Sequence, residues 1–368
     1  MKKVMLYAYI DENIGDDLFL ELICSRYKEE IDFYLYVPER LMDSYCTITN
    51  LHCIPYKDKN KWEDRINRYL FKGKLSPILK WNKMYLLDKK WVKKMDCQLW
   101  LGGSQFVETS DWKSVIKYKQ HQQKITPIPF FSISATVGPF KTKAYINAVK
   151  QVIKGYTHIT YRDKFSYDFM KGIGNSSYAF DMVFTKQRVG LKQSKKICIS
   201  VIDTTSRFPK SVSEHYENYI VSLIDYYTDR GYSIVLLSLC KAQRDNKAAE
   251  RIYEKAKNKK YISSKLYQGN IKVILDEIET SEIVIGVRYH SIVLGLILGT
   301  KVLPIIYESK TENMLRMLGY TGIPIEKMDV TPVREIDNLM IKLSEEEIDY
   351  IKENAEQQYS AFEQWLRR

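Results

Sequence analysis

The feature of the sequence that most constrains its fold is a regular alternation of short apolar runs with amphipathic stretches of helical period. Such apolar runs are typical of strands buried on both faces, and strands separated by helices indicate a parallel sheet covered by helices. The runs are, in chain order, KVMLYAY, DFYLYV, CQLWLGG, PIPFFSISATVGP, HITYRDK, KKICISVID, YSIVLLSL, EIVIGV and KVLPIIY. The polar, basic stretch QRVGLKQSKK divides them into two series and is typical of a linker.

The predicted fold class is therefore α/β, with two Rossmann-like domains that face a cleft. A chain of 368 residues has the length expected for two domains. We expect an N-terminal domain over residues 1–187 and a C-terminal domain over residues 195–344. Residues 345–368 form one charged amphipathic helix that is expected to pack back on the N-terminal domain.

Composition indicates an ordinary water-soluble protein of a reducing compartment. Hydrophobic residues make up 45% of the chain and charged residues 28%, and no apolar run reaches the length of about 20 residues that spans a bilayer. We interpret KVMLYAY as the first strand of a cytoplasmic protein and not as a secretion signal, because Asp11 and Glu12 follow it directly. The six cysteines form no C-x-x-C pair, which argues against a structural metal.

The chain carries an excess of positive charge, with 57 Lys and Arg against 45 Asp and Glu. A basic surface attracts nucleic acid, anionic lipid or phosphorylated substrates. No nucleic-acid-binding motif is present, so nucleic acid is not an expected partner. The region from Lys57 to Lys94 interleaves lysines with aromatic residues. It fits either a membrane surface or lipid-linked substrate, or a pair of surface helices with a buried aromatic face.

Small and polar residues follow the first and third predicted strands. Ligands of open α/β sheets bind beyond the carboxyl ends of the strands. The first loop contains Asn13, Gly15, Asp16 and Asp17, where Gly15 permits a close backbone approach and either aspartate can cap the next helix. An ordinary capped turn explains the same spacing.

A second loop of small residues, Gly102, Gly103 and Ser104, follows the strand CQLWL and could cradle a phosphate or a sugar. The motif is short and does not match G-x-G-x-x-G. Alone, it predicts a tight turn as readily as a ligand site.

Cations follow two later strands. Arg162 comes after HITY, and its guanidinium suits a carboxylate or phosphate. Arg288 and His290 come after EIVIGV, where Ser291 begins a helix whose N-terminus favours an anion. Lys310 follows the next strand and is expected to face the same crevice. We therefore predict that this edge binds an anion and that His290 supplies a proton donor.

Taken together, the motifs of the chain resemble those of the polysaccharide pyruvyl transferase family. The matching stretches cover nearly the whole chain: they are ENIGDD, LWLGGS, SATVGPF, YRDKFS, AFDMVF, GVRYHS and LPIIYESK through LGY. The family has a fold like that of the two-domain B-type (GT-B) glycosyltransferases. Its members transfer the enolpyruvyl group of phosphoenolpyruvate (PEP) to a sugar as a ketal.

The resemblance implies a PEP site at Arg162, Arg288 and His290, with Ser291 and Lys310 beside them. Arg288 and His290 would be catalytic. The N-terminal domain would bind the acceptor and the C-terminal domain the donor. The acceptor, a sugar of a surface polysaccharide or its lipid-linked precursor, would lie near Asn13, Gly15, Asp16, Asp17, Gly102, Gly103 and Ser104. We expect no cofactor and no metal, because PEP is a co-substrate and cations of the protein neutralise its phosphate. A peripheral location at the inner face of the cell membrane would follow from a lipid-linked acceptor.

This sequence departs from the family pattern at three places. Ser104 stands where many members have a third glycine, Asp181 is followed by Met182 in place of proline, and Ile202–Asp203 stand where an arginine often occurs. Arg207 is the candidate replacement for that arginine. Two other functions remain open at this point. One is a GT-B glycosyltransferase with a nucleotide-sugar donor, and the other is a non-catalytic protein that binds anions or glycans.

Overall fold

The computed structural model describes residues 1–57 and 76–368, and these form two compact units. Unit 1 contains Met1–Tyr9, Phe19–Asp181 and Gln357–Arg368, and unit 2 contains Ile10–Leu18 and Met182–Glu356. Two segments therefore group differently from the predicted domains. The loop after the first strand belongs to unit 2, and the C-terminal segment is shared between the units.

Unit 1 is built on a parallel sheet. Its strands are β1 (Lys2–Tyr7), β2 (Ile31–Pro38), β3 (Leu51–Tyr56), β4 (Cys97–Leu101), β5 (Ser104–Phe106), β6 (Phe130–Val137), β7 (His158–Tyr161) and β8 (Ser176–Tyr178). Its helices are the second part of α1 (Ile14–Arg26), α2 (Met42–Tyr45), α3 (Ser76–Trp91), α4 (Trp112–Lys124), α5 (Lys143–Lys154), α6 (Lys164–Met170) and α13 (Ser360–Leu366).

The strands of unit 1 lie in the order β3-β2-β1-β4-β6-β7-β8, with β5 paired to β6. All eight residues of β6 are buried, which explains why the strand is a continuous apolar and small-residue run without polar alternation. Helix α5 begins where Thr142 accepts a hydrogen bond from the backbone of Tyr145. Because α5 has an apolar face built from Tyr145, Val149 and Val152, it covers the sheet as the helical period predicts.

Unit 2 contains a second parallel sheet. Its strands are β9 (Ser194–Ser200), β10 (Ser233–Ser238), β11 (Ile262–Leu266), β12 (Ser281–Gly286), β13 (Lys301–Ile306) and β14 (Ile323–Pro324). Its helices are α7 (Lys210–Thr228), α8 (Asp245–Lys255), α9 (Ile271–Glu279), α10 (Tyr289–Ile297), α11 (Ser309–Met317) and α12 (Glu345–Glu356).

The strand order of unit 2, β11-β10-β9-β12-β13-β14, reverses between β9 and β12. The chain runs outward in one direction from β9 and in the other from β12. Connections therefore leave this point toward opposite sides and open a crevice beyond the carboxyl ends of the two strands. The predicted α/β class with two parallel-sheet domains is confirmed.

The C-terminal segment differs from the single helix that its charge pattern predicts. Helix α12 ends at Glu356, a short 3-10 turn spans Gln357–Tyr359, and α13 begins at Ser360. The side chain of Gln358 is buried in unit 1, where it accepts a hydrogen bond from the backbone of Ser134 and donates to the carbonyl of Ala179. A buried amide that bonds to other strands fixes the backbone at this point and interrupts the regular helix.

Much of the basic, aromatic region lies outside the described residues, because 58–75 are not described. In its described part, the ring of Tyr85 lies 4.2 Å from that of His121, and the ring of Trp91 lies 6.1 Å from that of Tyr34. Lys89 and Lys90 are exposed. Here the pattern is that of a surface helix with an inward aromatic face. No helix within 1–57 and 76–368 is long and apolar enough to cross a membrane.

Candidate functional site

The strand order of unit 2 reverses between β9 and β12, and this place is called the switch point below. Two buried serines stabilise it. The hydroxyl of Ser200, at the end of β9, accepts hydrogen bonds from the backbone of Val287 (2.8 Å) and Arg288 (3.2 Å). It lies 2.6 Å from the hydroxyl of Ser291, which donates to the carbonyl oxygen of Arg288. Ser291, predicted to bind the donor, thus has a hydroxyl that fixes the chain on which Arg288 sits.

Arg288 projects from this anchored turn and forms a bidentate ion pair with Asp245. Its Nε lies 2.9 Å from Asp245 Oδ2, and its Nη2 donates to Oδ1. Its third nitrogen donates to the side-chain oxygen of Gln243 at 2.7 Å. Burial alone would lower the pKa of the guanidinium, but Tyr307 and Asp245 raise it above its ordinary value. Arg288 is therefore a permanently charged group in a fixed orientation.

A second arginine reaches the same place from the loop after β9. Arg207 donates to the oxygen of Gln243 that Arg288 also uses, and its guanidinium carbon lies 5.6 Å from the ring centre of Tyr307. The hydroxyl of Tyr307 lies 3.5 Å from Arg288. Two guanidinium groups thus converge on one amide and one phenol, and the role of Arg207 as a replacement stays a prediction.

Lys310 adds a cation from the turn after β13. Its ammonium group lies 2.8 Å from Glu308 and 5.9 Å from the ring centre of Tyr289. Burial by itself would raise the pKa of Glu308, but Lys310 and Tyr307 lower it below the usual value. The carboxyl-end edge of the sheet at the switch point therefore contains three cations, Arg207, Arg288 and Lys310. It also contains two carboxylates, those of Asp245 and Glu308, and is called the cationic edge below.

The loop after β1 packs against His290. A Cβ atom on Gly15 would lie 1.9 Å from Nδ1 of the His290 imidazole, so only glycine leaves room for the ring. The backbone of Ile14 donates to the carbonyl of Leu239 (3.4 Å), and Asn13 pairs with Cys240. The structure therefore places the predicted acceptor residues of this loop beside the predicted catalytic histidine, within unit 2.

Internal hydrogen bonds shape this loop. Asn13 donates to Asp16 at 2.7 Å and accepts from the backbone of Gly15 at 3.2 Å. Asp17 is buried and accepts a hydrogen bond of 2.6 Å from the hydroxyl of Tyr267. Asp17 thus ties the start of α1 to unit 2.

The Gly102–Ser104 loop lies in unit 1 and has backbone conformations that favour glycine. The φ angles of Gly102 and Gly103 are +47° and +73°. A Cβ on Gly102 would lie 2.1 Å from the ring of Phe19. Ser104 begins β5. Tight packing and the turn therefore require both glycines, whatever the loop binds.

Arg162 also lies in unit 1, and it is 2% exposed. Its Nη1 lies 2.8 Å from Asp181, and its Nε donates to the hydroxyl of Thr136 at 2.7 Å. The neighbouring Asp163 caps α6 by accepting from the backbone of Ser166. Asp181, which belongs to the motif AFDMVF, thus forms a buried ion pair with Arg162, a residue predicted to bind the donor.

Sequence reasoning found Arg288, His290 and Lys310 because each follows a buried strand. It missed Gln243, Asp245 and Tyr307, which complete the same edge. Tyr307 follows β13 directly and carried the same signal. Gln243 and Asp245 are 45 and 43 residues from Arg288 and sit in a turn with no motif of its own. Among the residues that the structure describes, no group of three or more His, Cys, Asp or Glu side chains is arranged to hold a metal ion.

The polysaccharide pyruvyl transferase family model matches residues 13–309. The chain belongs to this family. It is also 23% identical over 259 residues to the amylovoran biosynthesis protein AmsJ of Erwinia amylovora, a match that spans 62% of this chain and 60% of AmsJ.

Solved structures share the fold at low sequence identity. Anabaena Alr3699/HepE in complex with UDP-glucose superposes with a TM-score of 0.54 at 10% identity, over 99% of this chain and 95% of that one. The S. aureus MnaA–UDP co-structure superposes with a TM-score of 0.55 at 13% identity, over 96% and 91% of the two chains. These likenesses identify the fold as GT-B, as predicted.

Proposed function

We propose that the protein transfers the pyruvyl group of PEP to two hydroxyls of a sugar, forming a cyclic ketal and releasing phosphate. The observation that carries the proposal is the cationic edge at the switch point of unit 2, where Arg207, Arg288 and Lys310 converge. PEP carries a phosphate and a carboxylate, and guanidinium groups suit both by bidentate hydrogen bonding. The family of the chain supports the same chemistry.

In the proposed reaction, the methylene carbon of PEP takes up a proton and becomes a methyl group. One sugar hydroxyl forms a bond to C2, the bond between C2 and the phosphate oxygen breaks, and a second hydroxyl closes the ring. The two hydroxyls release two protons, of which one balances the methyl group and the other leaves with phosphate. His290 is the proposed general acid, either toward the methylene carbon or toward the leaving phosphate. No step requires a metal or another cofactor.

Arg288 is proposed to hold the donor in place, with Asp245 and Gln243 as the groups that orient it. Ser291 supports the same turn, and Lys310 adds positive charge. Arg162 stays a proposed donor contact. The acceptor is proposed to meet the loop of Asn13, Gly15 and Asp16, and the turn of Gly102–Ser104.

The proposed acceptor is a sugar of a polysaccharide or its lipid-linked precursor, and the proposed location is the cytoplasm at the inner face of the membrane. A basic chain with a net formal charge of +12 supports work near anionic lipid.

Calorimetric titration of the purified protein with PEP and, separately, with UDP-sugars tests the donor. We expect saturable binding of PEP that is lost in Arg288→Ala. Arg316→Ala is the matched control, because Arg316 is an exposed arginine of α11 that pairs with Glu312 on the same helix, and it should bind PEP normally. Binding of a UDP-sugar without binding of PEP would contradict the proposal and indicate a glycosyltransferase. Equal PEP binding by both variants would remove Arg288 from the site.

A further inference from the structure

Three phenylalanine rings form a stack on unit 1, in which Phe140 is half-buried and the other two are exposed. Phe140 follows β6, and Phe165 and Phe169 lie one turn apart on α6. The ring centres of Phe140 and Phe169 are 5.0 Å apart at an angle of 26°, and those of Phe165 and Phe169 are 6.0 Å apart at 27°. Phe165 is 53% exposed and Phe169 is 39% exposed. Because water does not favour contiguous apolar surface of this kind, the stack indicates a binding surface.

The stack is anchored in the unit and extends toward a neighbouring tryptophan. Phe140 packs on the buried Tyr145 with ring centres 5.9 Å apart, and Tyr145 packs on Trp112 at 5.3 Å. The loop that carries Phe140 is fixed by Glu108, whose carboxylate accepts hydrogen bonds from the backbone of residues 141 and 142. The surface formed by Trp112, Phe140, Phe165 and Phe169 is called the aromatic rim below. It lies on a preformed scaffold.

Five exposed lysines lie within three residues of the rim's aromatic residues in the sequence. They are Lys113, Lys141, Lys143, Lys164 and Lys171. The acidic groups beside them are Asp168, which pairs with Lys164 at 2.5 Å, Asp111, which accepts from Thr109, and the buried Glu108, which accepts from the backbone of Lys141. Five lysines against three carboxylates leave the border of the rim positive. Aromatic rings bordered by lysines are typical of protein surfaces that lie on anionic lipid headgroups.

We propose that the aromatic rim is a membrane-docking surface, which inserts Phe165 and Phe169 among the headgroups of an anionic bilayer while its lysines contact lipid phosphates. A second copy of the chain fits less well, since a two-fold interface would bring the same lysines of both copies together. Nucleic acid fits less well too, because the phenylalanine rings stack on one another and their faces are occupied. The surface lies at the carboxyl ends of β6 and β7, and docking would bring this edge of unit 1 to lipid-linked substrates.

Sedimentation with lipid vesicles tests this inference without donor or acceptor, so its outcome is independent of the proposed reaction. The wild-type chain is mixed with vesicles of phosphatidylcholine alone, or of equal parts phosphatidylcholine and phosphatidylglycerol. We expect preferential binding to the anionic vesicles. Phe165→Ser/Phe169→Ser should weaken it about tenfold or more, because the buried apolar area is lost. Lys141→Gln/Lys143→Gln/Lys171→Gln should weaken it by a similar factor and reduce its salt dependence.

The matched control is Tyr261→Ser/Tyr350→Ser, which removes two exposed aromatic rings from unit 2 and should leave vesicle binding unchanged. Unfolding midpoints of all variants show that each chain is folded. Equal binding of the wild-type chain to both kinds of vesicle would overturn the inference, as would normal binding by the double phenylalanine variant. If that variant instead dissociates a dimer and leaves vesicle binding intact, the rim is a subunit interface and the inference is wrong.

Discussion

Each of the two sheets places an arginine within two residues of the end of a buried strand, and the two arginines have different surroundings. Arg162 of unit 1 is enclosed and bonds to Asp181 and Thr136. Arg288 of unit 2 is also paired with a carboxylate, but its side chain is 12% exposed and it shares Gln243 with Arg207. Similar sequence signals thus produce one arginine that is enclosed by the protein and one that belongs to a cluster of cations at a switch point.

The difference shows what a strand-end signal can and cannot predict. It locates a side chain at the ligand edge of a sheet, but the partners decide whether the charge is used by the fold or is available to a ligand. Removing one partner of a buried ion pair is costly, because it leaves the other charge uncompensated in the interior. Several cations that converge at one crevice repel each other, and an anionic ligand relieves this repulsion.

The largest effect is expected at His290 of unit 2. His290→Ala should reduce the turnover of pyruvyl transfer by about 10²- to 10⁴-fold, as is usual when a general acid is removed. PEP affinity should change much less, and the unfolding midpoint should not change. His215→Ala is the control, because His215 is exposed on α7. Full turnover in His290→Ala would mean that the cationic edge binds its ligand without acid catalysis from this residue.

Arg162→Ala tests the buried ion pair of unit 1. It removes the guanidinium that pairs with the buried carboxylate of Asp181 and should lower the free energy of unfolding by about 3–5 kcal/mol. The double variant Arg162→Ala/Asp181→Ala should recover part of this loss, which chemical unfolding would measure. Because Arg162 is also a proposed donor contact, PEP binding should weaken as well. Unchanged stability in the single variant would mean that the buried ion pair does not stabilise the fold, and it would remove the contrast with Arg288.

Unit 1 also buries the carboxyl group of Asp88, whose ionisation should make the stability of the fold depend on pH. Burial raises the pKa of Asp88 to about 7, although the hydroxyls of Tyr118, Tyr36 and Tyr7 partly offset this effect. The folded state therefore binds a proton that the unfolded state releases near its ordinary value of 3.8. Stability should fall as pH rises from about 4 to 7, by at most about 4 kcal/mol.

In Asp88→Asn this fall should be reduced, since the side chain no longer ionises. Urea unfolding of both proteins at about pH 5 and pH 8 measures the difference. Parallel pH profiles of the two proteins would show that Asp88 stays ionised in the fold, and the interior of unit 1 would then tolerate charge better than we expect.

The smallest expected effect concerns the loop that packs on His290. Gly15→Ala would place a methyl carbon 1.9 Å from Nδ1 of the His290 imidazole as it now lies, so the ring must move. We expect about a tenfold loss of turnover, because misplacement of a catalytic group by a fraction of an ångström is costly. In the His290→Ala background the same change should have no further effect. An additional loss there would mean that Gly15 acts on the acceptor or on the fold.

The sequence predicted both sheets, most helices and the strand ends that carry Arg162, Arg288 and His290. These features depend on local period and on short motifs. It did not predict that Gly15 would lie against His290, because the two are 275 residues apart and no local pattern links them. It also missed Asp245 and Gln243, whose role depends on which turns the topology brings together. The break at Gln358 was missed because its buried hydrogen bonds are to distant strands.

The central claim is that the cationic edge of unit 2 serves the transfer of a pyruvyl group. The most direct measurement incubates the protein with cell-derived lipid-linked and polymeric glycans, together with either PEP labelled in its enolpyruvyl carbons or UDP-sugars labelled in the sugar. We predict that label from PEP enters the glycan with stoichiometric release of phosphate, and that Arg288→Ala abolishes both. Entry of label from a UDP-sugar, with none from PEP, would contradict the account.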